Sequence, residues 1–221
     1  CLLKRHARES CERVVGVGLW DFGIFSPGDP RYDSTRKLYS NAEQARFRQD
    51  REDFNRVLGE VVAANPGILF LLKEHPGCLG GRSAAGIAGL EGFPNTLILK
   101  NEEGIIDCIQ AADFWLVYES TTALESWLMG KKTGLINPSG TDFPRDKLYR
   151  GSPNFPTAGE LQQAVDHFYS SGELPGFAAL ESPRREVIRE TIQWDDGLNH
   201  VRAGNEIIGL LENLPRPDRG R

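Results

Sequence analysis

Residues 113–137 read DFWLVYESTTALESWLMGKKTGLIN, and this stretch decides the fold. Its first six residues form a short apolar run with the aromatic and β-branched character of a covered strand. Residues 121–129 follow as a helix that Gly130 closes. Residues 133–137 start a second strand. A strand, one short helix and another strand in so few residues imply a parallel pair joined by a helical crossover.

The same alternation extends upstream. Residues 13–22 (RVVGVGLWDF) read as a buried strand running into a tight turn, and 23–39, with Gly23, Pro27, Gly28 and Pro30, as a loop. Ser40-x-x-Glu43 matches a capping box. Phe54, Val57, Leu58, Val61 and Val62 then recur at helical spacing until Asn65-Pro66-Gly67 stops the helix. Residues 68–73 (ILFLLK) are continuously apolar, as in a strand covered on both faces. Residues 77–94 are glycine-rich without a period and read as a loop, 96–100 (TLILK) as a strand and 104–112 as a short helix. Downstream, helices are expected at about 157–170, 184–193 and 199–213. The whole is an α/β chain with a doubly wound, Rossmann-like parallel sheet and carboxyl-terminal helices. Residues 13–214 form the domain, 1–12 a tail or piece of linker, and 215–221 a frayed tail.

Composition narrows the function classes. The 221 residues are 26% charged and 39% hydrophobic, which describes a globular chain. A formal net charge of -5 argues against a nucleic-acid surface. No apolar run reaches the ~20 residues of a membrane span, although peripheral association with a membrane stays open. The chain begins with Cys1 rather than Met and shows no secretory signal pattern, so it is expected to be a fragment or a processed chain. Its four cysteines are scattered without a CxxC pair, which points to reduced thiols in the cytoplasm and to no metal site. No cofactor is implied.

Parallel sheets of this kind bind ligands beyond the carboxyl ends of their strands, and candidate residues collect there. Lys73 and His75, in KEHPG, end the strand at 68–73. His75 can donate to a phosphate or sugar hydroxyl and Lys73 can offset negative charge; alternatively His75 is a strand-end histidine bonded to a carbonyl. Ser120, Thr121 and Thr122 bring three hydroxyls to a helix start, where free N–H groups favour anions. Ser and Thr are also common N-caps. Thr122-x-x-Glu125 could be a second capping box, although Glu125, one turn into that helix, is better placed to accept hydrogen bonds from a sugar. Trp127 and Leu128 read as core. Gly16 and Gly18 do not complete a GxGxxG fingerprint. Gly18 either lets backbone approach a phosphate or turns the chain, and Asp21 is a remote candidate. Asp107 and Asp113 look structural. Glu74 and Glu119 flank the motifs, but strand alternation turns them away from the neighbouring site residues. Asn137 to Asp142 (NPSGTD) end a strand and read as a plain loop or, alternatively, a pocket border.

KEHPG followed about forty residues later by YESTTALESWLMGKKTGLINPS resembles the carboxyl-terminal half of GT-B glycosyltransferases. More narrowly, His-Pro followed by a Ser-Thr pair resembles enzymes with cytidine-nucleotide donors: bacterial sialyl- and Kdo-transferases and CDP-glycerol polymerases. The segment from Val14 to about Pro144 also resembles surface carbohydrate biosynthesis proteins. The resemblance implies that Lys73 and His75 meet donor phosphate or ribose, and that Ser120, Thr121 and Thr122 cradle phosphate. It implies further that Glu125 lies beside the ribose and that backbone near Leu99 to Asn101 edges the base. Two departures stand out. Related enzymes often carry Lys-Pro-His-Pro where this chain has Lys73-Glu74-His75-Pro76. Their catalytic acid/base usually comes from the amino-terminal half, and nothing here replaces it.

The resemblance thus implies the donor-binding half of a glycosyltransferase for surface polysaccharide, with a CMP- or other NDP-linked sugar and a second GT-B domain as partners. No catalytic residue is assigned. Alternatives are a nucleotide-sugar 2-epimerase, a CDP-polyol phosphotransferase domain, and a non-catalytic flavodoxin-like binding domain.

Overall fold

The computed structural model describes residues 2–20, 31–76, 89–100, 102–118, 120–140, 150–194 and 196–213. Five parallel strands form one sheet: β1 (Val14–Gly18), β2 (Leu69–Lys73), β3 (Thr96–Leu99), β4 (Phe114–Val117) and β5 (Thr133–Leu135). They lie in the order β3-β2-β1-β4-β5. The chain winds outward one way from β1 through β2 to β3, then returns to the centre and winds the other way through β4 to β5. The reversal falls between β1 and β4, where Gly16 lies beside Trp115 and Gly18 beside Val117. A crevice opens at such a reversal, at the carboxyl ends of the strands.

Both faces of the sheet are covered, which explains the continuous apolar runs. Val15, Val17, Phe70, Leu72, Phe114 and Leu116 point to one face. There they pack on α3 (Asn41–Ala64) and α6 (Ala158–Ser171) through Phe54, Val57, Leu58, Leu161 and Val165. Val14, Leu69, Leu71, Trp115, Val117 and Leu135 point to the other face. That side is covered by α4 (Ile105–Ala111) and α5 (Thr122–Leu128), with Val187 of α7 (Glu181–Ile192). The expected capping box starts α3: Glu43 N–H donates to Ser40 Oγ (3.3 Å), and the Glu43 carboxylate accepts from Ser40 N–H (2.8 Å). The last element is α8 (Asn199–Asn213), which carries exposed Val201, Ile207, Ile208 and Leu210.

Several elements differ from the sequence reading. Within the expected loop at 23–39, Tyr32–Leu38 form a helix, α2; it has no apolar stripe and Leu38 is exposed, so no period marks it. Residues 2–12 do not lie apart from the domain. Leu2–Arg5 make one helical turn, α1, with Leu2 only 3% exposed in the α4 side of the core. Arg5 and His6 pair with Glu103 at 3.1 and 2.9 Å. Trp127 is buried as expected, but Leu128 is 45% exposed. Leu128 follows Glu125 by three residues, so it sits on the Glu125 side of α5 and not beneath it with Trp127. None of the described helices is long and apolar enough to cross a membrane.

Candidate functional site

A cavity of about 170 Å³ opens at the carboxyl ends of β1 and β2, on the α4 and α5 side of the sheet. Its wall includes Gly18, Lys73, His75, Ser120, Thr121, Thr122 and Glu125, seven of the eight candidates read from sequence. The eighth, Asn101, lies outside the described residues, as do Asp21 and Glu119. Larger clefts of about 550 Å³ along α3 and 650 Å³ between α7 and α8 contain none of the candidates.

The strand ends that floor the cavity are flush. The parallel ladder runs one residue past β1 and β2: Leu19 N–H donates to Lys73 O (3.0 Å) and Glu74 N–H to Leu99 O (2.9 Å). Lys73 is the last residue of β2, on the face that bears Leu69 and Leu71, and it is 6% exposed. A buried ammonium needs partners, and Lys73 Nζ donates to Glu74 O (3.1 Å) and Lys100 O (2.9 Å). Two of its three N–H groups thus brace the ends of β2 and β3, which leaves one without a partner among the described residues. His75 is half-buried on the cavity wall. Glu74 lines the cavity too, contrary to the expectation from alternation. β2 ends at Lys73, so the period-2 rule no longer governs residue 74.

The other wall is the β4–α5 junction. Thr122 is the first residue inside α5 and not its N-cap, so the capping box proposed with Glu125 does not form. Ser120 performs the capping: Thr122 N–H donates to Ser120 Oγ (3.3 Å). The Thr122 hydroxyl turns toward the sheet. It accepts from the Trp115 indole N–H (3.1 Å) and donates to Ser120 Oγ (3.0 Å). This contact exists because Gly18 has no side chain: a Cβ there would run into Thr122 Oγ1 and crowd Trp115 Nε1. Gly16 makes room for the Trp115 ring itself in the same way. The paired glycines therefore serve packing at the switch point, and the space over Gly18 is filled by the Thr122 hydroxyl.

Glu125 faces the cavity from the first turn of α5. Burial pushes its carboxyl above the ordinary glutamate value. Its carboxylate has no hydrogen-bond or ion-pair partner among the described residues. Behind this wall the Tyr118 hydroxyl donates to the buried Asp50 carboxylate (2.7 Å), fixing the end of β4 to α3. Asn137, at the end of β5, is tied to Asn154 by two hydrogen bonds and is not part of the described wall. Asp113 is structural as expected, accepting from Val14 N–H at 2.7 Å. Asp107 pairs with Arg5 at 3.2 Å. No cluster of His, Cys, Asp and Glu among the described residues could hold a metal ion.

The sequence reading missed Trp115 and Ile105 as parts of this site. Trp115 looked like one more apolar strand residue. Only the register that sets it beside Gly16 shows why its indole reaches Thr122. Ile105 enters as the first residue of α4, whose start also faces the cavity. The assembled groups suit an anion with attached hydroxyls: donors from Ser120, Thr121, His75 and one Lys73 N–H, and an acceptor in Glu125.

No family model matches the chain and no curated protein resembles it in sequence. Solved structures share the fold. A UDP-GlcNAc 2-epimerase from Neisseria meningitidis, bound to UDP-GlcNAc, superposes with a TM-score of 0.52 at 11% identity, over 96% of this chain and 50% of that one. An inferred UDP-N-acetylglucosamine 2-epimerase from Listeria monocytogenes gives 0.50 at 12%, over 99% and 50%. The chain has the Rossmann-like fold of GT-B-like enzymes. It spans about half the length of these neighbours.

Proposed function

We propose that this chain is the nucleotide-sugar-binding half of a two-domain GT-B-like enzyme, and that the cavity at the β1/β2 ends holds the donor's phosphates. The observation that carries the proposal is the convergence of Gly18, Lys73, His75, Ser120, Thr121, Thr122 and Glu125 on one cavity at the topological reversal. At about 170 Å³ the cavity suits a phosphate-sized group better than a whole nucleotide sugar, since ligand pockets usually measure ~300–1,000 Å³. The sugar and base would extend beyond it, toward a second domain and the backbone at the end of β3, at Leu99 and Lys100.

Glycosyl transfer is the reaction that the KEHPG and YESTTALES motifs favour. Donors at Ser120 and Thr121, with one N–H of Lys73, would stabilise charge on the departing phosphate. The base that activates an acceptor hydroxyl would come from the other half, because Glu125 is assigned to ribose. A 2-epimerase is the second reading, and it is favoured by the two fold neighbours.

A thermal-shift panel of CMP, CDP, UMP, UDP, GDP, UDP-GlcNAc and FMN tests the proposal on the whole chain. A nucleotide at a hundred times its Kd stabilises by ~2.7 kcal/mol, a rise of roughly 5–10 °C for a domain of this size. The largest rise is expected with cytidine nucleotides, following the His-Pro and Ser-Thr motifs. A preference for UDP and UDP-GlcNAc replaces that base assignment and favours the epimerase reading. No shift with any nucleotide overturns the proposal.

A further inference from the structure

We infer that Trp115 is a positioning residue for the donor phosphate, acting through Thr122 to fix the direction of the Ser120 hydroxyl proton. This rests on the reading of the cavity as a phosphate site. The chain of bonds has one polarity. An indole N–H can only donate, so Thr122 Oγ1 accepts from Trp115 Nε1. The Thr122 proton then goes to Ser120 Oγ. Ser120 Oγ also receives Thr122 N–H, so both of its acceptor positions are filled. The one remaining capacity of that hydroxyl is donation.

Ser120 is 7% exposed and lies on the cavity wall, and its hydroxyl makes no further bond to described residues. A buried donor held in this way favours a ligand atom that only accepts, such as a phosphate oxygen, over a hydroxyl that must also donate. Successive hydrogen bonds polarise one another, which strengthens the last donor in the chain. Thr122 is therefore internal wiring and not a ligand contact, and Gly18 is required because a Cβ would occupy the place of the Thr122 hydroxyl.

Isothermal titration of the whole chain with CDP and UDP, and with cytidine and uridine as phosphate-free controls, tests the inference. Thr122→Val removes the hydroxyl at nearly constant shape. It is expected to weaken diphosphate binding about tenfold, as loss of an oriented hydrogen bond to a charged group does. Nucleoside binding should not change, and Thr122→Ser should restore the wild-type value. Trp115→Phe should move diphosphate affinity in the same direction. In a Ser120→Ala background, Thr122→Val should cost nothing further, because the chain then has no end to orient. Undiminished diphosphate affinity in Thr122→Val overturns the inference and leaves the site standing. An equal loss in both backgrounds also overturns it, because Thr122 then acts directly. A wild-type chain that binds neither diphosphate removes the site and this inference together.

Discussion

The two ends of the sheet differ in the polar groups they leave without a partner among the described residues. At the amino end polar side chains close on the protein itself. Asp113 Oδ2 accepts from Val14 N–H (2.7 Å) and from the Tyr169 hydroxyl (3.0 Å). The Asn95 amide donates to the carbonyls of Val62, Asn65 and Ile68 at 3.0, 2.9 and 3.2 Å. Lys131 Nζ reaches the carbonyls of Gln110 and Ala112. At the carboxyl end, Glu125, the Ser120 proton and one Lys73 N–H have no partner among the described residues. A buried polar group without a partner costs stability, so a fold keeps such groups where a ligand completes them. If the carboxyl end binds the donor as proposed, the contrast divides the sheet into an amino end that serves stability and a carboxyl end that serves binding.

That division can be broken by experiment. Asn95→Ala should have the largest effect on stability, roughly 2–3 kcal/mol by chemical denaturation, because buried carbonyls lose donors. Its nucleotide affinity should match wild type; a lowered affinity would mean that the two ends are coupled. Tyr169→Phe should cost about 1 kcal/mol and again leave binding unchanged. Burial beside Asp113 pushes the Tyr169 phenol upward, so this bond should persist throughout the neutral range.

Glu125→Gln should show the smallest effect on stability and the opposite sign. Burial raises the folded-state pKa of Glu125, so wild type is most stable while this carboxyl is protonated. Wild type loses that stability as pH rises from the ordinary carboxylate range through the raised value. The variant should therefore melt like wild type in acid and be more stable at pH 7, by roughly 0.5 kcal/mol or less. Nucleotide affinity should fall at the same time. Lower stability of the variant at pH 7 would show that Glu125 has a structural partner and would blur the comparison.

Much of this was legible in the sequence, for identifiable reasons. β2 and β4 are unbroken apolar runs between turn residues, and each begins or ends within a residue or two of its expected place. Ser40 and Glu43 signal a helix start by chemistry local to four residues. What escaped depends on contacts distant in sequence. α2 has no apolar face to betray it. Leu2 could be placed in the core only once α4 was in position. Thr122 reads as a cap because Glu125 follows by three, yet its hydroxyl bonds a tryptophan on the neighbouring strand. Seven candidate positions share one cavity because β-strand ends and helix starts at a reversal must converge, whatever the intervening loops do.

Gly16 and Trp115 constrain each other's history. A side chain at 16 would overlap the six-membered ring at 115, so drift at the glycine requires a smaller residue at 115 beforehand. That smaller residue would leave Thr122 without its indole donor. Among descendants that keep the site, the two positions are therefore locked as a pair. If the cavity binds the donor as proposed, descendants that part with both should have lost their selection for that ligand, and such paired replacement would identify them from sequence alone.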